Sequence, residues 1–263
     1  MTLRQTLVAG LIAAGLCTSA VAADKPTTLK FCHEDVDVYP RVLKDIPGLN
    51  IAHLKAVEQK LVVKIETSPL PWKRCQEDMR EGKVDGIFAA SFKTERMEIG
   101  VYPMNGEKPD AARAMMSDGY SLYRLKGSAT QWDGKKLTTT GTIGAQPGYS
   151  IVDQLKQLGV KVDEGSKTAD GNLKKLLAGR VDGVALQTLE GDNSLSTTPE
   201  FAAKLEKLSQ PLVDKPFFLM LSKQFVAKYG DFSKELWKTL ADVRESPITR
   251  QKWAVSNSGQ YPF

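Results

Sequence analysis

Histidine is nearly absent from this chain: His33 and His53 are the two in 263 residues, and neither stands at ligand spacing with a cysteine. A zinc or similar metal centre is therefore not expected. Nothing matches a nucleophile elbow, a catalytic triad or a phosphate-cradling glycine loop, and no cofactor is implied. Past the N-terminus no apolar run approaches the ~20 residues that cross a bilayer. Charge of one sign is not concentrated anywhere: 36 basic and 31 acidic residues are interspersed, for a net charge of +5. That excludes a nucleic-acid groove and a polybasic membrane anchor.

What is present begins with a leader. Residues 1–23 carry one charge (Arg4), an apolar run from Leu7 to Leu16 and the small residues Ala20, Val21, Ala22 and Ala23, the layout of a cleavable secretory signal. Cleavage after Ala22 or Ala23 is expected, which places the protein in the periplasm. Cys17 leaves with the leader; Leu16 before it is unlike the small residue that lipoprotein processing expects. Cys32 and Cys75 remain, an even pair in an oxidising compartment, and a disulfide between them is expected. The ~240 residues of mature chain suffice for one large domain or two modest ones.

The densest stretch is LPWKRCQEDMREGKVDGIFAASFKTER, residues 70–96. Pro71 suits a first helical position, Trp72, Cys75, Gln76 and Met79 share a helical face, and Gly82 suits a left-handed cap. Val84–Ala90 reads as a buried strand. Gly-basic-Val-Asp-Gly then returns at Gly179–Gly183, where LLAGRVDGVALQ repeats REGKVDGIFAAS. A repeat so widely spaced predicts two similar α/β lobes rather than a solenoid, with sites at the carboxyl ends of their strands.

Before that unit, Thr28–Glu34 reads as the first strand, ending in His33, Glu34 and Asp35, with Tyr39 and Pro40 following. A helix is expected from about Asn50 and a strand over Leu61–Glu66. After it, Asp118–Leu125 is an extended crossing and first hinge, and a strand lies in TTGTIGA. Gly144–Tyr149 feeds a helix bearing Ile151, Val152, Leu155 and Leu158, with Ser150 and Asp153 at capping-box spacing. Free N–H groups at Gly148, Tyr149 and Ser150 would suit an anion. Leu173, Leu176 and Leu177 mark the next helix, Val181–Gln187 a strand, and Thr198-Pro199-Glu200 opens a helix to Leu208. Pro211–Pro216 is the return crossing and Phe217–Leu221 a buried strand. A helix from Ser233 and a short one near Trp253 close the chain.

The motifs Trp72–Cys75, Gly82–Gly86, Ser91–Arg96 and Gly179–Gly183 together resemble the type II periplasmic solute-binding proteins, within them the polar amino-acid group (family 3) of ABC importers. The resemblance implies a two-lobed α/β fold, each lobe a mixed sheet flanked by helices, joined by two hinge crossings. Its lobes are expected at 24–120 plus 214–263, and at 121–213. It implies a monomer that delivers a small polar solute to an inner-membrane ABC permease. Arg96 matches the position that holds a ligand carboxylate, with Ser91, Ala89, Phe92 and Trp72 beside it. Tyr39 would be the stacking wall beside the first strand and Glu34 an acid at its end. Gln187 departs from the pattern, because members that bind α-amino acids commonly have there an aspartate that pairs with the ligand ammonium. Either the ligand lacks an α-ammonium, or Glu34, Asp35 or Glu190 replaces the charge.

Two other classes stand beside this one. A periplasmic enzyme on the same scaffold, similar to a cyclic-carboxylate dehydratase, would need a poised acid or base such as Glu34, Asp35 or Glu190. A ligand-sensing module of a signalling system would need the same pocket without a permease.

Overall fold

The computed structural model describes residues 25–45 and 47–247. The leader and the expected helix near Trp253 lie outside them. The first part of the chain runs β1 (Thr28–Glu34), α1 (Leu49–Leu61), β2 (Lys64–Leu70), α2 (Trp72–Arg80), β3 (Gly86–Ser91), β4 (Gly100–Val101) and a hairpin of β5 (Met104–Asn105) and β6 (Lys108–Pro109). The long strand β7 (Met116–Leu125) leads to a small hairpin, β8 (Gln131–Trp132) and β9 (Leu137–Thr138). Then come β10 (Thr142–Gly144), α3 (Ser150–Gln157), β11 (Lys161–Asp163), α4 (Ala169–Leu177), β12 (Gly183–Gln187), α5 (Thr188–Thr197), α6 (Pro199–Lys204) and β13 (Leu205–Lys207). A second long strand, β14 (Val213–Ser222), returns to α7 (Lys223–Lys228) and α8 (Gly230–Arg244).

One sheet runs through the molecule in the order β11-β10-β12-β7-β14-β3-β1-β2. Its two flanks are parallel trios, β2-β1-β3 and β11-β10-β12. Between them β7 and β14 lie side by side and antiparallel, Val213 opposite Tyr120 and Phe217 opposite Met116. Each flank with its helices is a lobe. One core packs α1 and α8 on the first flank through Leu54, Val57, Leu236 and Leu240, and another packs α4 and α6 on the second through Leu173, Leu176 and Phe201. A third spans both lobes.

The sequence repeat has a physical cause. Gly82 and Gly179 both adopt positive φ, at 71° and 65°, ending α2 and closing α4. In each, the following aspartate ties its strand to a neighbour: the Asp85 carboxylate accepts the Lys30 N–H at 2.7 Å, and that of Asp182 accepts the Thr142 N–H at 2.9 Å. These Val-Asp residues therefore precede the ladders, and β3 and β12 start at Gly86 and Gly183 instead of Val84 and Val181.

Other boundaries also differ from the sequence expectations. Pro71 is the N-cap, its ψ of 132° extended, and the helix starts at Trp72. Leu61 is the last residue of α1, Val62 turns left-handed at φ 50°, and the strand begins at Lys64. Tyr149, not Ser150, is the N-cap of α3, and no side chain caps it. Ser150 and Asp153 instead reach across the lobes, Ser150 Oγ accepting from Ser91 Oγ at 2.8 Å and Asp153 pairing with Lys93. α6 stops at Lys204, because Leu205–Lys207 pairs with Leu125–Tyr123 as a strand. α8 starts earlier than Ser233, at Gly230. α5 is unexpected altogether: its buried positions are Glu190, Gly191 and Ser194, so no apolar periodicity marks it. Gly191 is required there, since a Cβ would lie 2.4 Å from the Tyr123 ring.

Candidate functional site

The carboxyl ends of β1, β3 and β12 converge on a narrow cavity of about 30 Å³ between the lobes, so a bound solute needs the lobes to part. The first lobe supplies Glu34, Trp72, Ala89, Ser91 and Arg96; the second supplies Tyr149, Ser150 and Gln187. These eight candidates share the cavity lining. Gly148 stands at the edge, joined through its carbonyl. Two candidates lie elsewhere. Phe92 packs edge-on against Tyr102, centroids 5.2 Å apart. Tyr39, before a cis proline, lines a separate cleft with Asp170 and Glu190.

Arg96 sits in the short 3₁₀ turn after β3 and is 5% exposed. Nη1 donates to the Ser91 carbonyl at 2.8 Å, Nη2 to that of Gly148 at 3.0 Å and Nε to Gln76 Oε1 at 3.2 Å. Its guanidinium carbon lies 5.4 Å from the Trp72 ring centroid. All three acceptors are neutral. Lys215 stands close by, donating to Ser150 Oγ at 3.1 Å, and its pKa is lowered by burial and then by the charges of Arg96 and Lys93. This end of the cavity is therefore positive, and it has been desolvated without a full complement of counter-charge.

Ala89 reaches the cavity through a bulge. β14 and β3 pair Phe218 with Ala90 but Met220 with Ile87, so β3 carries one extra residue, and Ala89 takes φ 60°. Bulges of this kind re-aim side chains beside sites.

Glu34, Gln187 and Tyr149 line the same cavity. Burial, and then the nearby Glu190 and Asp35 charges, push Glu34 up to about 8, against a hydrogen bond from Tyr149 and the charge of Lys167. Glu190, 4% exposed and lining the neighbouring cleft, is pushed up to about 7, chiefly by burial, although Gln146 Nε2 donates to it at 2.9 Å. Asp35 is paired with Lys167 of the second lobe at 2.8 Å.

Sequence reasoning missed Arg41, Tyr120 and Phe217, all of which line the cavity. Arg41 is 1% exposed, pairs with Asp118 at 2.6 Å and stacks 4.5 Å from the Phe217 centroid. No motif marks it; its partner is a strand residue far along the chain. Tyr120 was readable, standing opposite Gln187 in the ladder of β7 and β12. Cys32 and Cys75 are bonded as expected, in the core cluster that also holds Trp72.

No family model matches the sequence, and no curated protein matches it. Solved structures do. An ancestral arginine-binding protein bound to glutamine superposes at TM-score 0.67 and 19% identity, over 87% of this chain and 96% of that one. The substrate-binding protein of an amino acid ABC transporter does so at 0.61 and 16%, over 88% and 96%. A histidine kinase sensor domain with similarity to periplasmic binding proteins reaches 0.70 at 12%, over 87% and 95%. At such identities the likeness establishes the fold alone: this chain has the two-lobed, type II periplasmic-binding-protein fold.

Proposed function

We propose that the protein is an extracytoplasmic solute-binding protein, not an enzyme, which closes its lobes on a small polar carboxylate and delivers it to an ABC permease. The observation that carries this is Arg96: a buried guanidinium between two lobes whose hydrogen-bond partners are all neutral. A buried charge without a counter-charge is costly, and an incoming carboxylate supplies one with bidentate geometry. Ser91, Ser150, Trp72, Gly148 and Tyr149 would complete the receptor for it. The amino-acid-binding and substrate-binding titles of the structural neighbours agree with this reading.

The lobes would divide at 120 and 213, within and at the start of the two long strands, with 24–120 and 214–263 forming one and 121–213 the other. Closure by hinge motion is the expected movement. Export rests on the leader at 1–23 and accords with a disulfide; among the described residues no helix is long and apolar enough to cross a membrane. A monomer suffices, because both walls of the cavity come from one chain.

Thermal-shift and calorimetric screening of amino acids, hydroxy acids, di- and tricarboxylates, amines and sugars tests the reading. A ligand at about 100 times its Kd adds roughly 2.7 kcal/mol to the folded state. Stabilisation by carboxylates but not by amines or sugars is expected, and lack of response to every carboxylate overturns it. The kinase sensor likeness supports a second reading, ligand sensing. Deleting the gene abolishes uptake of the identified ligand if the protein transports, and leaves uptake intact while altering transcription if it senses.

A further inference from the structure

Three buried polar atoms of the cavity walls have no hydrogen-bond partner among the described residues: Arg41 Nη1, Gln187 Oε1 and Glu34 Oε1. Buried polar atoms are nearly always paired, so three orphans around one cavity mark a point prepared for a ligand group. Arg96 differs from them: each of its nitrogens already donates once, which leaves one N–H on Nη1 and one on Nη2 for a carboxylate. Arg41 is held rigidly there: Nη2 donates to Asp118 at 2.6 Å, Nε meets Met116 Sδ at 3.2 Å, and the plane stacks on Phe217. Gln187 is fixed by its Nε2, which donates to the Tyr120 hydroxyl at 3.4 Å.

The charges around this point already have partners. Asp118 is committed to Arg41 and Lys167 to Asp35, while Glu190, whose proton is held by burial to about 7, accepts from Gln146. We propose that Arg41, Gln187 and Glu34 recognise an uncharged polar group, so that the ligand is a small carboxylate whose second function is a hydroxyl or a carboxamide, not an ammonium or a second carboxylate. The inference rests on the reading of the cleft as a carboxylate receptor. An ammonium brings donors alone; it leaves Arg41 Nη1 unpaired and finds a free anion only where Glu34, held up to about 8, or Glu190, held up to about 7, gives up its proton. A second carboxylate brings acceptors alone and meets a guanidinium already neutralised by Asp118. A hydroxyl or an amide offers a donor and an acceptor at once and carries no charge to desolvate.

The test is calorimetry at pH 7 with matched probes: 4-hydroxybutyrate, succinamate, 4-aminobutyrate and succinate, with 2-hydroxybutyrate and 2-aminobutyrate as a second pair. The hydroxy or amide member of a set is expected to bind at least about tenfold tighter than its ammonium and dicarboxylate counterparts. Gln187→Asp, which adds an anion, is expected to move that preference about tenfold toward the ammonium. Equal or tighter binding of the ammonium or the dicarboxylate by wild type overturns the inference while leaving the carboxylate receptor standing. Failure of every probe, together with failure of the carboxylate screen, overturns both. If Gln187→Asp does not fold, titration of wild type in buffers of different ionisation enthalpy decides: the preferred probe should bind without proton exchange, and uptake or release of about one proton would refute the neutral point.

Discussion

Arg96 donates from Nη2 to the carbonyl oxygen of Gly148 at 3.0 Å, so the residue best placed for a ligand carboxylate is also a strut between the lobes. Gly148 offers that carbonyl from a turn at φ 76°, where its missing Cβ leaves room for Lys73 and Trp72. Arg96→Ala is expected to weaken carboxylate binding by at least about 2 kcal/mol, because a buried charge–charge contact is lost. Arg96→Lys keeps the charge and loses the planar fork, and it should recover only part of the affinity. Calorimetry on variants with wild-type circular dichroism measures both, and unchanged affinity in Arg96→Ala would remove the residue from the site.

The disulfide closes a loop with a sequence separation of 43. The chain-entropy treatment gives such a closure about 4 kcal/mol. Cys32→Ala with Cys75→Ala should lower the unfolding free energy by roughly 2–5 kcal/mol in urea titrations. Intact mass after alkylation of folded, unreduced protein should show both thiols blocked; labelling of either would contradict the pairing.

Two ion pairs, Lys93–Asp153 and Lys167–Asp35, span the lobes at partly exposed positions. Exposed pairs are worth about 0–1 kcal/mol each, so they bias closure without deciding it. The double variant Asp35→Asn with Asp153→Asn should bind a few-fold more weakly, chiefly through faster release, and raised salt should do the same to wild type. Stopped-flow release rates that stay unchanged in the variant would show that the pairs do not report on closure.

His53 is buried at the α1–α8 contact with neither ring nitrogen hydrogen-bonded among the described residues. Burial, then the charge of Arg244, lowers it to about 4. A base held neutral in the fold takes its proton sooner when unfolded, so stability present above the ordinary value of 6.5 is lost as pH falls toward 4. The loss is about 3 kcal/mol at most. His53→Leu should flatten that acid limb in urea titrations, and superimposable limbs would refute the assignment.

Glu190 gives the opposite slope. Its folded value is raised to about 7, so its contribution is present below the ordinary 4.5 and lost as pH rises through 7. Glu190→Gln should therefore gain on wild type between pH 5 and 8, and a constant difference between the two across that window would show that Glu190 stays ionised.

Local chemistry carried much of this into the sequence. β1 occupies Thr28–Glu34 as its alternation predicts, and the paired Gly-basic-Val-Asp-Gly segments sit at matching corners of two lobes, because a left-handed glycine and a strand-tying aspartate must be spelled locally. Arg96 and Gln187 were singled out through the resemblance to a known family, one within SFKTER and the other five residues past the Asp of Gly-Arg-Val-Asp. Arg41 was not, since what makes it a cavity residue is Asp118 and Phe217, brought to it by tertiary packing. α5 escaped because its inward face is built from Glu190, Gly191 and Ser194, and its helix is shaped by the Tyr123 ring rather than by an apolar stripe.

The two long strands at the centre of the sheet bear on how such a protein opens. β7 and β14 are hydrogen-bonded to each other along their shared span, and each is also bonded to the flank it serves, β12 for one and β3 for the other. Neither is a loose tether. On the proposed hinge closure, opening the cleft would twist this paired ribbon, which would then act as a torsion spring between the lobes. Such a joint favours small, fast openings and gives lobe separation and global unfolding a common element, and calorimetric melting should accordingly show one cooperative transition where two tethered domains would show two.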